Sequence, residues 1–436
     1  MSSNKLLIHD VLIVSAVADE TPFIGWVKVE GHRISAVGHG PALEKGSLGE
    51  RVIDGLGCAL LPGFINTHAH SHSSLTRGSA EGLELEDWIA TIEKEQSRLS
   101  DEDAYVAAIA TYGEALLSGT TSILDMCLRP EPAMRAAQAI GMRAVIAPYV
   151  LDDRNFAPSI ARMADLLKHY GAEFCQPGGR TQLWVGIHDL ESCSDKTISL
   201  GAELAAVFST GLHLHCSESQ FSVTRTRERT GRTPIVHLQT LGALGPRTIL
   251  AHCVWADEHD QALLAGSGTS VAHCPHANLK LASGIAPIAA MRKAGVRVAL
   301  ATDGAKANNR LDMFDVMKFA SLVPRGITLD PLIVPPEAIF AMATREGAAA
   351  LNLEAGRIAP GLLADLNLVD LRQFHLQPGT PGAVVTNLVH AARGPDVRMV
   401  IVDGEVVVAD GRLTKVDQSV ALSAMREVGS RLLADS

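Results

Sequence analysis

Two histidines one residue apart, His68 and His70, close the stretch LPGFINTHAH at residues 61–70. In a β-strand alternate side chains leave the same face, so both imidazoles would emerge together, which is what two ligands of one metal ion need. Ligand-capable residues recur at the ends of other short apolar runs: His213, His215 and Glu218 in HLHCSES, His252 in LAHCVWAD, His273 in AHCPHAN and Asp303 in LATDGA. A metal that activates water takes nitrogen and oxygen ligands and keeps one position open for that water. An isolated His-x-His arises by chance; the joint pattern does not. His213 and His215 could face the same way, and spacing alone leaves the choice between them open.

Residues so far apart in the chain need a scaffold that gathers strand ends. Apolar strand-like runs recur at 59–66, 120–125, 143–149, 182–187, 211–215, 248–252, 270–273 and 296–302. Between them lie alanine- and leucine-rich stretches with helical spacing, for example 101–118, 130–140, 196–208, 257–265 and 287–294. Buried strands alternating with helices predict an α/β fold, a distorted (β/α)8 TIM-like barrel, in which chemistry sits at the C-terminal strand ends. The two ends of the chain read differently, as short strands with glycine turns, including an Asp-Gly turn at 403–404. They predict a small composite β-sandwich domain from residues 1–60 and 360–436, closed by a tail helix at 419–433, around a barrel at 61–359. Pro62-Gly63 marks the handover.

The chain has 436 residues, 47% of them hydrophobic, with a mean hydropathy of +0.16. That composition is of a well-buried globular chain. A formal net charge of −10 argues against nucleic acid and anionic membrane as partners. Cys58, Cys127, Cys175, Cys193, Cys216, Cys253 and Cys274 form no CxxC pair, so they read as buried small hydrophobes in a reducing compartment. The N-terminal residues lack signal-peptide features and no apolar run is long enough to span a bilayer. A cytoplasmic location is the expectation.

LPGFINTHAH, HLHCSES, LAHCVWAD, LKLASGIAPI and LATDGAKANNRLDMF, with GRIAPGLLADLNLVDL beyond the barrel, together resemble the amidohydrolase superfamily. The likeness runs nearly end to end and points to the branch of S-adenosylhomocysteine/methylthioadenosine deaminases, with atrazine chlorohydrolase and melamine deaminase nearby. It implies His68, His70, His215 and Asp303 as ligands of one divalent metal ion, zinc by default with iron as the alternative. Binuclear members of the superfamily bridge two metals with a carboxylated lysine at the end of strand four. Here that segment reads QLWVGIHDLES, so a single ion is expected.

The resemblance also assigns catalysis. Replacing an amine on a nitrogen heterocycle means deprotonating the attacking water, protonating a ring nitrogen and protonating the departing amine, which one carboxylate can do in sequence. Glu218 is that carboxylate; His252 would hold the attacking oxygen or polarise the substrate, and Asp303 would serve as a second base. Trp88, His188 and His276 are expected to contact substrate, with plain packing as the alternative for Trp88. Relatives hold ribose hydroxyls with an acidic residue shortly after this tryptophan; in EKEQSRL the position falls on Glu95, Gln96 or Ser97.

The implied activity is hydrolytic deamination of a purine, nucleoside, pterin or triazine-type ring. The alternatives are release of chloride or a substituted amine from a triazine-like ring and, in another class, a non-catalytic binding or assembly protein of the same fold. A homo-oligomer, dimer or tetramer, is expected by resemblance.

Overall fold

The computed structural model describes residues 5–42, 49–152, 154–173 and 179–434. Eight parallel strands follow one another around a barrel. They are Phe64–Ala69, Thr120–Asp125, Arg143–Ile146 continued by Tyr149–Val150, Thr181–Leu183 continued by Val185–Ile187, Leu212–Cys216, Thr248–His252, Ser270–His273 and Val298–Leu300. Helices between them, such as Asp101–Leu117 and Asp195–Val207, pack outside.

The barrel is distorted where the sequence interrupts its ladders. Pro148 has no N–H to give, and strand three breaks there. Strand four changes partner midway: Thr181–Leu183 pairs with Arg143–Ile146, whereas Val185–Ile187 pairs with strand five and with Tyr149–Val150. Strands one and eight meet through side chains. Asn66 Nδ2 donates to Thr302 Oγ1 (2.7 Å), Thr67 Oγ1 to the Leu300 carbonyl (3.0 Å), and the Asp303 amide to the His68 carbonyl (3.0 Å). That last bond brings the ends of the two outermost strands side by side.

A nine-stranded sheet collects both ends of the chain. Cys58–Pro62 lies parallel to Lys5–Ile13 and antiparallel to Leu366–Asp370, and the latter leads on to Val397–Val402 and Glu405–Ala409. The sheet folds over one core that joins Leu6, Val27 and Ile34 to Leu366 and Ile401, as a sandwich does. The run expected at 59–66 is thus two strands in two sheets, because the chain turns at Gly63. A Cβ there would fall 2.0 Å from Thr121 Oγ1, so only glycine fits. The six described cysteines are all buried and free; Cys175 lies outside the described residues.

The tail helix, Gln418–Ala434, lies against Asp101–Leu117 and against the short turn Ser71–Thr76 that follows His70. Arg431 pairs with Asp103, and Leu432 shares a core with Leu75, Leu99 and Met126. The far end of the sequence thereby braces the segment next to the first histidine pair.

Candidate active site

The strand ends converge as the barrel requires. Nε2 of His70 lies 3.1 Å from Nε2 of His215, and the candidate ligand atoms of His68, His70 and His215 all fall within 4.8 Å of one another. Asp303 Oδ1 completes the group, 3.6 Å from His68 Nε2 and 3.5 Å from His70 Nε2. Non-glycine left-handed backbone marks this rim: φ is +71° at His252 and +62° at Asp303. Such torsions are costly and persist where the surrounding structure holds them. Gly304 permits the tight approach of the Asp303 loop, since a Cβ there would sit 2.5 Å from Ser73 Oγ.

Backbone carbonyls set the tautomers, because a carbonyl can only accept. His70 Nδ1 donates to the Met126 carbonyl (2.8 Å) and His215 Nδ1 to the His188 carbonyl (2.7 Å), so each ring presents an Nε2 lone pair to the centre. Nε2 of His68 is buried without a hydrogen-bond partner among the described residues. Burial lowers the pKa of all three rings and keeps them neutral, the form that binds metal. Three neutral imidazoles and a carboxylate fit a divalent cation. Cys274 also comes near His68 and His252, its thiol donating to the Ala272 carbonyl and its pKa raised by burial.

Glu218 lies beside this group, its Oε2 3.7 Å from His252 Nε2. Burial pushes its carboxyl above the usual range, with Asp303 and Asp189 adding to the shift and His252 opposing it. His252 is held from behind by Asn278, whose Oδ1 accepts from His252 Nδ1 (2.8 Å).

A cleft of about 740 Å³ opens over these residues. One wall is a face of the helix Leu85–Gln96 that presents Trp88, Ile89, Ile92, Glu93 and Gln96; Tyr149, Leu151 and His188 form another. Trp88 and His188 both line this cleft. Asp189 beside His188 raises the imidazole pKa and is itself held down to about 2.

His276, expected as a substrate contact, does not line the cleft. The helix Pro275–Lys280 starts at once after strand seven and turns that ring onto Phe319, with ring centroids 4.2 Å apart. Asn278, two residues on, is the one that faces the site. His273 is buried behind it, off the cleft. His213 also lies away from the cleft, with Nε2 2.7 Å from His68 Nδ1.

The segment after Trp88 separates its three candidates. Glu95 is buried in an ion pair with Lys306 and Ser97 is exposed. Gln96 lines the cleft, but its Oε1 accepts from Tyr149 Oη (2.7 Å) and its Nε2 lies 2.7 Å from His72 Nε2. The carboxylate on the cleft side of the helix is Glu93, with Arg154 Nε donating to it (3.1 Å). Helical spacing, with Ile92 four residues after Trp88 and Glu93 four residues after Ile89, was the signal that would have found it. Tyr149 and Asn278 carry no such signal, since only the fold brings them in.

Residues 59–407 match the Amidohydrolase family. The chain belongs to that family. Among relatives of this amidohydrolase is the 5-methylthioadenosine/S-adenosylhomocysteine deaminase of Moorella thermoacetica, 37% identical over 95% of this chain and 96% of the relative. The 5′-deoxyadenosine deaminase of Methanothermobacter thermautotrophicus is 36% identical over 94% and 95%. An adenosine deaminase from Xanthomonas campestris, solved with bound zinc, superposes with a TM-score of 0.91 at 26% identity, covering 99% of each chain. Atrazine chlorohydrolase from Arthrobacter aurescens, solved with zinc, shares the fold with a TM-score of 0.89 at 22% identity, over 97% of this chain and all of that one. No helix among the described residues is long and apolar enough to cross a membrane.

Proposed function

We propose that this amidohydrolase replaces an exocyclic amino group of a nitrogen heterocycle with oxygen, releasing ammonia. The observation that carries the reading is the placement of Glu218, a half-buried carboxyl of raised pKa that lines the cleft together with His70, His215 and Asp303, 3.7 Å from His252. His68, His70, His215 and Asp303 are proposed to hold a single divalent ion, zinc, which would act as a Lewis acid and make water a nucleophile at neutral pH.

The chain's own residues do the rest. Glu218 takes one proton from the attacking water and delivers it to the ring nitrogen next to the attacked carbon. The new C–O bond and the old C–N bond then share a tetrahedral carbon. Glu218 passes the second hydroxyl proton to the amino nitrogen, which leaves as ammonia while the C=O forms. A carboxyl whose pKa is raised toward neutrality is matched to this exchange in both directions. His252, oriented by Asn278, holds the attacking oxygen in line, and Asp303 accepts a hydrogen bond from it.

Trp88, Ile92 and Leu151 offer apolar surface to a flat ring. Together with the named activities of the relatives above 35% identity, this favours adenine nucleosides altered at the 5′ carbon. Glu93 is the proposed acceptor for their ribose hydroxyls. Ammonia and chloride release should be measured across 5′-modified adenosines, free purines, pterins, pyrimidines and triazines, with metal content determined on the same protein. Halide release without ammonia would redirect the reading to dechlorination; far less than one divalent ion per chain, with no activity gained on adding zinc, would remove the enzyme reading.

A further inference from the structure

His213 is a fully buried histidine of the barrel interior that the reaction does not use. It shares a strand and a face with His215 but sits two residues earlier, paired with Gly186 and Ile249 where His215 pairs with Ala251. Alternation therefore puts it one layer deeper in the barrel. Both of its nitrogens are engaged. Nδ1 lies 2.9 Å from the Ile249 carbonyl and Nε2 lies 2.7 Å from His68 Nδ1.

We propose that His213 is a positioning residue for the metal: it fixes His68 in the tautomer and ring orientation that present Nε2 to the ion. The logic follows from which atoms can donate. The Ile249 carbonyl only accepts, so Nδ1 of His213 carries its hydrogen and Nε2 of the neutral ring is a lone pair. That lone pair accepts from Nδ1–H of His68. The remaining nitrogen of His68 is then a bare lone pair, and it is the one buried without any hydrogen-bond partner.

His70 and His215 reach backbone carbonyls directly, through Met126 and His188. The His68 ring reaches the backbone at one remove, with the His213 ring as the spacer to Ile249. Partners of this kind set ligand basicity and orientation, and their loss typically weakens metal affinity by roughly 10–100-fold. The inference rests on the proposed metal site, and the experiment separates the two. Wild-type protein that fails to bind zinc stoichiometrically would sink the site itself.

The test uses full-length protein and zinc, with dissociation constants from chelator competition. His213→Gln keeps an acceptor and a donor at the end of a side chain of similar reach; His213→Met keeps the length and loses both. His213→Met should weaken zinc binding by roughly 10–100-fold, and His213→Gln should recover most of that loss. Equal affinity in wild type and a folded His213→Met, or a His213→Gln as weak as His213→Met, would overturn the role. If His213→Met does not fold, imidazole NMR of zinc-loaded wild type decides. A His68 Nδ1–H proton shifted downfield by a nitrogen acceptor supports the proposal, and a His68 proton on Nε2 overturns it.

Discussion

The histidine group and the wall facing it differ in how they are held. His68 and His215 stand buried on barrel strands, His70 stands half-buried one residue past the first strand, and each is fixed by a single acceptor: two carbonyls and a histidine. Trp88, Ile92, Glu93 and Gln96 stand on a helix that only crosses the barrel mouth. Gln96 is buried, the other three are partly exposed, and its polar members are held by other side chains. Strand five is hydrogen-bonded on both edges, and strand one is laddered to strand two and tied to strand eight through Asn66, Thr67 and the Asp303 amide, whereas the helical wall is held through side chains. The candidate metal group is therefore anchored in the barrel framework, and the helical wall is anchored through side-chain contacts.

Perturbing the two halves should give unequal effects. The largest is expected on stripping the metal: chelator dialysis should abolish ammonia release and added zinc should restore it. Activity unchanged in protein shown to be metal-free would break the comparison at its base.

Next is Glu218→Gln, which should keep the metal content of wild type and lose on the order of 10²-fold or more in kcat. Its pH profile carries a sign. The carboxylate must be deprotonated to take the first proton, and burial raises its pKa above the usual glutamate value. The rate should therefore fall as pH drops through that raised value, with the acid limb displaced upward from the ordinary glutamate range. In the variant's residual rate this limb should be missing; its persistence would assign the limb to another group.

The wall itself rests on the Lys306–Glu95 ion pair, where both side chains are almost inaccessible. Lys306→Met leaves a buried carboxylate without its partner and should destabilise the fold by roughly 3–5 kcal/mol in denaturant unfolding. Adding Glu95→Leu should return most of that loss. Additive losses would show that Glu95 has a separate task, such as holding substrate.

The smallest effect should come from Glu93→Gln. Removing a charged acceptor for a sugar hydroxyl costs about 1.5–3 kcal/mol, or a rise of roughly 10- to 150-fold in KM for nucleosides, with kcat and free-base kinetics unchanged. Equal loss for nucleoside and free base would place the ribose elsewhere.

Legibility in the sequence follows the same division. HLH and HAH could be read because alternation along a strand is local, and because eight alternating units leave one closed arrangement for their ends. The helix Leu85–Gln96 was not among the helical stretches read from the sequence, and which of its carboxylates faces the cleft depends on how the helix is rotated. Neighbouring Glu93 and Glu95 differ by two residues and point into different surroundings, one toward the cleft and one into an ion pair with Lys306. His276 shows the same limit, since the abrupt helix after strand seven turned it onto Phe319 and brought Asn278 to His252 instead.

The sequence by itself determined the barrel, the β-domain drawn from both ends, and the set of ligand-capable residues at the strand ends. Each of those depends on periodicity and residue chemistry within a few positions. Only the tertiary structure set His213 behind His68, turned His276 away, and tied Gln96 to Tyr149 and His72. Those outcomes depend on which carbonyl, ring or carboxylate lies within 3 Å after folding, and such neighbours come from strands and helices that no local pattern connects.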